Sequence, residues 1–177
     1  MEATKEVGTT IITEEQILKR AKEIGAQITK DFEGEEVLFV GILKGAVIWL
    51  SDVIKNVHLD TKIDFMAVSS YGAETKTTGV VRIMMDLDTS IEGKNVIIVE
   101  DIVDSGITLN YLKGYLLGRN PKSLKVCTLL DKKDGRRTEV DVDYVGFEVD
   151  DIFIVGYGLD YDQRYRNLPY ITYIEWE

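Results

Sequence analysis

The sequence predicts an α/β fold: a central, mainly parallel sheet flanked by helices, with a smaller C-terminal part made of strands. Three observations predict it. Between about residues 35 and 130, short apolar runs alternate with segments of helical periodicity. The runs are apolar at successive positions rather than alternate ones, as in strands buried on both faces. In the last third only strand-like segments occur, so something antiparallel or irregular is appended to the sheet.

In chain order, TEEQILKRAKEIGAQITKDF (13–32) reads as an amphipathic helix. Thr13 and Gln16 make a capping box, and Ile17, Ala21, Ile24 and Ile28 fall on one face. EEVLFVGIL (35–43) is a buried strand and GAVIWLSDVIKN (45–56) a helix. KIDFMAVSS (62–70) has the β-branched and aromatic content of a second strand. YGAETKTTG (71–79) is polar and glycine-bounded, which predicts a mobile loop. VVRIMMDL (80–87) and NVIIVE (95–100) are strands around a turn at DTSIEGKN. SGITLNYLKGYLLGRN (105–120) is a helix that stops before Pro121, SLKVCTLL (123–130) a strand and KKDGRR (132–137) a loop. YVGFEV (144–149), IFIVGYG (152–158) and YITYIEW (170–176) complete the chain as strands. Without repeats, low-complexity tracts or linkers, residues 1–177 are expected to form a single domain with its core at about 35–140.

Composition narrows the function. Hydrophobic residues make up 45% and charged residues 29%, as expected of a soluble globular protein. Runs such as Ala46–Leu50 and Val96–Val99 are far too short to span a bilayer. MEATKEVGTTIITEEQ lacks the basic and apolar regions of a signal peptide, so a cytoplasmic location is expected. The single cysteine, Cys127, excludes an intrachain disulfide and reads as a small buried hydrophobe. A net charge of −10 argues against nucleic-acid partners and suits a site that gathers divalent cations.

Several signatures fail. No G-x-x-x-x-G-K-[ST] P-loop occurs, GYGLDY (156–161) lacks the third glycine of a dinucleotide fingerprint, and DLDTSI lacks the glycine and closing glutamate of a calcium loop. A lone His58 builds neither a histidine metal cluster nor a serine-type triad, and is expected at the surface near a helix end.

VIIVEDIVDSGITL (96–109) is different. An apolar strand ends in Glu100 and Asp101, and Asp104, Ser105 and Gly106 follow at the start of a helix. Free N–H groups and the helix dipole there favour an anion, Gly106 lets the backbone approach it, and Ser105 and Thr108 add hydroxyls. The stretch therefore reads as a cradle for a monophosphate. Glu100 and Asp101 upstream are suited to a sugar diol or a hydrated Mg²⁺. Taken alone, D-S-G could be no more than a helix cap.

The whole stretch resembles the thirteen-residue phosphoribosyl pyrophosphate (PRPP) motif of type I phosphoribosyltransferases, with Ile107 at its variable position. From about residue 35 onward, further segments are similar to the hypoxanthine-guanine branch of that family. GILKGAVIWLSDV (41–53) resembles its pyrophosphate loop, which implies a cis Leu43–Lys44 peptide and backbone N–H groups of Lys44 and Gly45 facing pyrophosphate. SSYG (69–72) resembles the start of its flexible loop, with Ser70 and Tyr71 at the Ser-Tyr positions. LLDKKDG (129–135) puts Lys132 at the position that donates to a purine 6-oxo group, with Lys133 the neighbouring candidate. DIFIVGYGLDYDQRYRNLPYI (151–171) implies Phe153 stacked on the base, Ile154 at its edge, Asp160 near a metal and Arg166 on pyrophosphate.

The resemblance implies the type I fold with a hood formed by about 144–177 and the N-terminal end. It implies a magnesium-dependent glycosyltransferase of purine salvage that turns PRPP and hypoxanthine or guanine into IMP or GMP and pyrophosphate. Glu100 and Asp101 would hold ribose hydroxyls directly or through metal, and Asp104 would serve N7 as general base or as proton acceptor. A homodimer or homotetramer is expected, with no membrane partner. Two alternatives stay open: a phosphoribosyltransferase-fold regulator that senses nucleotides and binds RNA, and a xanthine-preferring enzyme.

Overall fold

The computed structural model describes residues 7–71 and 80–175. The elements are α1 (Glu14–Asp31), β1 (Glu36–Leu43), α2 (Val47–Ile54), β2 (Asp60–Tyr71), β3 (Val80–Met85), β4 (Asn95–Val103), α3 (Ile107–Leu117), β5 (Ser123–Asp131), β6 (Tyr144–Glu148), β7 (Ile154–Val155) and β8 (Thr172–Tyr173). Six strands form one sheet in the order β3-β2-β1-β4-β5-β6. All neighbours are parallel except β2 and β3, which pair antiparallel.

The unbroken apolar runs are explained by cover on both faces. In β1, Val37 and Phe39 join Ile17, Ile24, Ile28 and Trp49 of α1 and α2, whereas Leu38 and Val40 join Leu109, Leu112 and Leu116 of α3. The capping box at Thr13 and Gln16 starts α1 as its sequence requires. Cys127 lies in the α1–α2 core, where burial pushes its thiol up to about 12. Among the described residues no helix is long and apolar enough to cross a membrane.

The strand order positions the site. β1 leads to α2 on one face and its neighbour β4 leads to α3 on the other. The chain therefore parts at the carboxyl ends of β1 and β4, leaving the crevice where open α/β sheets hold ligands.

Three expectations change. First, β4 runs on to Val103 rather than ending at residue 100, because Glu100 pairs with Thr128 and Ile102 with Leu130 along β5. Its two acids thus lie inside the last turns of the ladder. Second, 144–148 is not part of the appended strands: β6 extends the main sheet, parallel to β5. Third, the strands expected at 152–158 and 170–176 contract to the two-residue β7 and β8, since Gly156, Tyr157 and Gly158 all have positive φ and cannot continue a strand. The small sheet takes in the N-terminal segment, through bridges Val7–Ile174 and Ile12–Ile171 and a 2.8 Å bond from the Gly8 N–H to the Tyr173 carbonyl. His58 is exposed just past α2.

Asp86, after β3, ties that edge to α3. It accepts from the Tyr115 hydroxyl at 2.5 Å and from both terminal nitrogens of Arg119 at 3.0 and 2.5 Å, and the guanidinium lies 4.6 Å from the Tyr115 ring centre. Partial burial would raise the Asp86 carboxyl, but the Arg119 and Tyr115 hydrogen bonds hold it below its ordinary value. A depressed carboxyl contributes stability above its unfolded value, and that contribution is lost as pH falls through the folded one. Asp86→Asn is therefore expected to lower the unfolding free energy measured in urea at pH 7 by no more than about 1 kcal/mol, the range of exposed pairs. The gap from the unchanged protein should close below about pH 3.8; urea melts at pH 7 and pH 3 check this.

Candidate active site at the switch point of the sheet

Where β1 ends, the Leu43–Lys44 peptide is cis and Gly45 turns the chain into α2. Gly45 is buried against β4: a Cβ there would overlap the Asp101 carboxylate. Gly158 closes over the same spot, since a Cβ on it would overlap the Gly45 carbonyl oxygen. Only glycine at 45 allows this approach.

Glu100 is 7% exposed, and desolvation raises its carboxyl well above the ordinary value, with the Asp101 charge adding to the effect. Asp101 is raised too, by burial first, against its bond from the Ile102 N–H at 2.8 Å and the nearby Arg166 charge. Among the described residues neither acid forms an ion pair. Two adjacent carboxylates of this kind, one buried and one partly buried, are hard oxygen donors whose charge a divalent cation would offset. Asp160, expected beside them, has both oxygens engaged: Arg166 Nη2 is 2.9 Å from Oδ1, and the Gln163 N–H donates to Oδ2 at 2.8 Å. Accordingly, among the described residues no three acids come together as a metal cage. The donor set fits an ion that keeps water and phosphate ligands, as Mg²⁺ does.

Beyond Val103 the chain turns through Asp104, Ser105 and Gly106 into α3, which begins at Ile107 rather than at 105. Gly106 is the N-cap, with φ 80°, and no side chain caps the helix. Ser105 Oγ lies 3.4 Å from the Ile107 nitrogen. The first turn, with Ile107 and Thr108, thus presents N–H groups that have no acceptor within the helix. Asp104 projects from this turn with its side chain 54% exposed.

Lys132, just past β5, is 7% exposed, and its ammonium stands 3.7 Å from Asp104 and 3.5 Å from Asp151. The neighbouring Lys133 turns away to an exposed pair with Glu148. Phe153 is 44% exposed and meets the Tyr161 ring edge-on at 5.7 Å. Ile154 is buried and pairs with Tyr173. Arg166 donates to the Gly158 carbonyl at 2.7 Å, and its guanidinium and the Lys44 ammonium share the Gln163 amide oxygen at 3.3 and 3.2 Å. The backbone of Ser70 and Tyr71 closes β2, opposite Val81 and Val80. The rest of the expected mobile loop, 72–79, lies outside the described residues.

Four contacting residues gave no sequence signal. Asp151 sits in an acidic turn, Gln163 in a polar segment with positive φ, and Asp131 and Arg136 pair across a loop. Each is defined by a partner that only the fold brings near.

The sequence profile of the phosphoribosyl transferase domain matches residues 8–162. The hypoxanthine-guanine phosphoribosyltransferase of Bacillus subtilis is 52% identical over 161 residues, which are 91% of this chain and 89% of that protein. That of Dictyostelium discoideum is 52% identical over 165 residues, 91% of this chain and 92% of its own. A crystal structure of a Bacillus anthracis hypoxanthine-guanine phosphoribosyltransferase superposes with a TM-score of 0.92 at 48% identity, covering 96% of this chain and 100% of that one.

The unpaired burial of Glu100 sets a test that needs no turnover. Glu100→Gln removes a desolvated charge while keeping the shape, so the metal-free protein at pH 8 should melt higher, by about 2–4 °C for each kcal/mol relieved. Calorimetry of both proteins in chelator decides it, and an unchanged or lower melting temperature contradicts the account.

Proposed function

The chain belongs to the phosphoribosyl transferase family, and from that premise we infer the chemistry of its crevice. It is an enzyme that transfers the 5-phosphoribosyl group from PRPP to hypoxanthine or guanine, giving IMP or GMP and pyrophosphate. One observation carries our assignment of roles. Asp104 stands between a nearly buried lysine on one side and the open first turn of α3 on the other. A base and a sugar phosphate would therefore meet at this carboxylate.

We assign the 5′-phosphate to the N–H and hydroxyl groups of Ser105 to Thr108, and the ribose hydroxyls to Glu100 and Asp101. Lys44, Gly45 and Arg166 take the pyrophosphate, their positive groups facing the charge that grows on it as the anomeric C–O bond breaks. Lys132 donates to the 6-oxo group, which an amino group in its place would not accept. Phe153 stacks on the ring and Ile154 lies at its edge. Asp104 takes up the proton that the base sheds at N7 as N9 bonds to the sugar. Phosphoribosyltransferases generally use Mg²⁺ with PRPP, and when bound it supplies positive charge against the leaving pyrophosphate. Glu100 and Asp101 are the side chains we assign to it, with Asp160 held nearby by Arg166. The loop that starts at Ser70 and Tyr71 would keep water from the reacting sugar.

We read residues 1–177 as one domain. We place it in the cytoplasm, with PRPP and nucleotide products whose phosphate charge keeps them from crossing membranes. Exposed Val47, Ile63, Val80 and Met84 lie on the α1–α2 side of the sheet edge, and we assign this face to a second copy of the chain. Sedimentation equilibrium should give a dimer or its multiple, and Met84→Asp should shift it toward monomer.

Initial rates with hypoxanthine, guanine, xanthine and adenine test the function directly. The first two should turn over, and adenine should not. Asp104→Asn should lower kcat by roughly 10²–10⁴ while PRPP binding is largely kept. Near-normal turnover in that variant, or preference for xanthine, contradicts the assignment.

A further inference from the structure

Building on the reading above, we propose that Arg136 is a positioning residue: through its ion pair with Asp131 it latches the loop after β5 across the Asp104–Gly106 turn. The latch holds the 5′-phosphate cradle and the Asp104 carboxylate in one register.

The pair is the buried side-chain anchor of that loop. Asp131 is the last residue of β5 and its side chain is 5% exposed; that of Arg136, which donates to it, is 12% exposed. Of the loop's other ion pairs, Lys133–Glu148 is more than 60% exposed on both sides and anchors weakly, and those of Lys132 reach carboxylates, Asp104 and Asp151, that are themselves more than half exposed. Between the two members of the buried pair the chain folds back, with the Arg136 N–H donating to the Lys133 carbonyl at 3.2 Å.

What the loop holds is the ligand turn itself. The Lys132 N–H donates to the Val103 carbonyl at 2.9 Å. Gly135 is packed so near Asp104 that a Cβ on it would lie 2.5 Å from Oδ1. The N–H groups of Arg137 and Thr138 both donate to the Ser105 carbonyl, at 2.9 and 3.0 Å. A Cβ on Gly106 would overlap the Thr138 carbonyl and lie 2.9 Å from Arg136 Cδ. Every residue from Val103 to Gly106 is thus touched by the loop. The guanidinium stem itself lies against the glycine that opens α3.

The pyrophosphate groups are held by other means. Arg166 and Lys44 are fixed through Asp160, Gln163 and Gly158, none of which the latch touches. Loosening the latch should therefore weaken one end of the substrate and spare the other. A general loss of stability would not discriminate in this way.

The experiment compares the unchanged enzyme with Arg136→Ala and Arg136→Lys. It measures IMP binding by titration calorimetry, pyrophosphate inhibition against PRPP, kcat per folded molecule, and melting temperature. Arg136→Ala should weaken IMP about tenfold or more and lower kcat by a similar factor, since displacing a reacting group by 1 Å can cost about a hundredfold. Pyrophosphate inhibition should stay within about twofold, and Arg136→Lys should recover part of both losses. If the alanine variant does not fold, the lysine variant carries the same comparison with smaller losses. IMP affinity and kcat within about twofold of normal despite a lower melting temperature would overturn the proposal, as would equal weakening of IMP and pyrophosphate. An unchanged enzyme that fails to use hypoxanthine would instead overturn the functional reading.

Discussion

The closeness of three backbone segments around the Asp101 carboxylate governs this structure. Gly45 from the β1–α2 turn presses on that carboxylate, and Gly158 presses on Gly45. Any side chain at either position would separate the turn, the strand and the C-terminal segment. The approach brings backbone N–H groups, a buried acid and, through Gly158, the Arg166 guanidinium into one small volume. The sheet makes it possible, because β1 and β4 are parallel neighbours whose following helices leave in opposite directions.

Burial of charge is the cost of this compactness. Glu100 and Asp101 lie within a strand, with little water to solvate them, and both resist ionisation for that reason. Isolated buried carboxylates oppose folding, so their place in a ligand crevice makes sense only as half of an interaction. The turn into α3 has the opposite character: its N–H groups have no acceptor within the helix, and among the described residues only Ile107 finds one in the turn, Ser105 Oγ at 3.4 Å. On the proposed reading, a substrate that carries cation, sugar and phosphate together would satisfy both needs at once, and Lys132, 3.7 Å from Asp104, would meet the base at the same point.

Most of the fold is legible in the sequence because it rests on local pattern. The two-faced apolar runs of β1, β4 and β5 announce a parallel sheet, and D-S-G-x-T after a strand announces the turn into a helix that Gly106 opens. The length of β4 was not readable: acids at 100 and 101 look like the end of a strand, yet pairing with Thr128 and Leu130 carries the ladder through them. β6 looked like part of the appended strands because parallel and antiparallel strands share a composition, and only its pairing with β5 decides. Gln163 and Arg136 were invisible for a related reason. A polar residue in a polar stretch shows its role only when distant groups, here Lys44 for Gln163 and Gly106 for Arg136, are brought to it.

The pairing of the two chain ends has a mechanical consequence. Val7 is bridged antiparallel to Ile174, so these two described segments run in opposite directions side by side at the edge of the small sheet. Tension applied to them, as by a translocating motor, would open the ladder like a zipper, one bond at a time, rather than shear it. The segment carrying Phe153 and Arg166 would peel away at low force while the larger sheet was still intact.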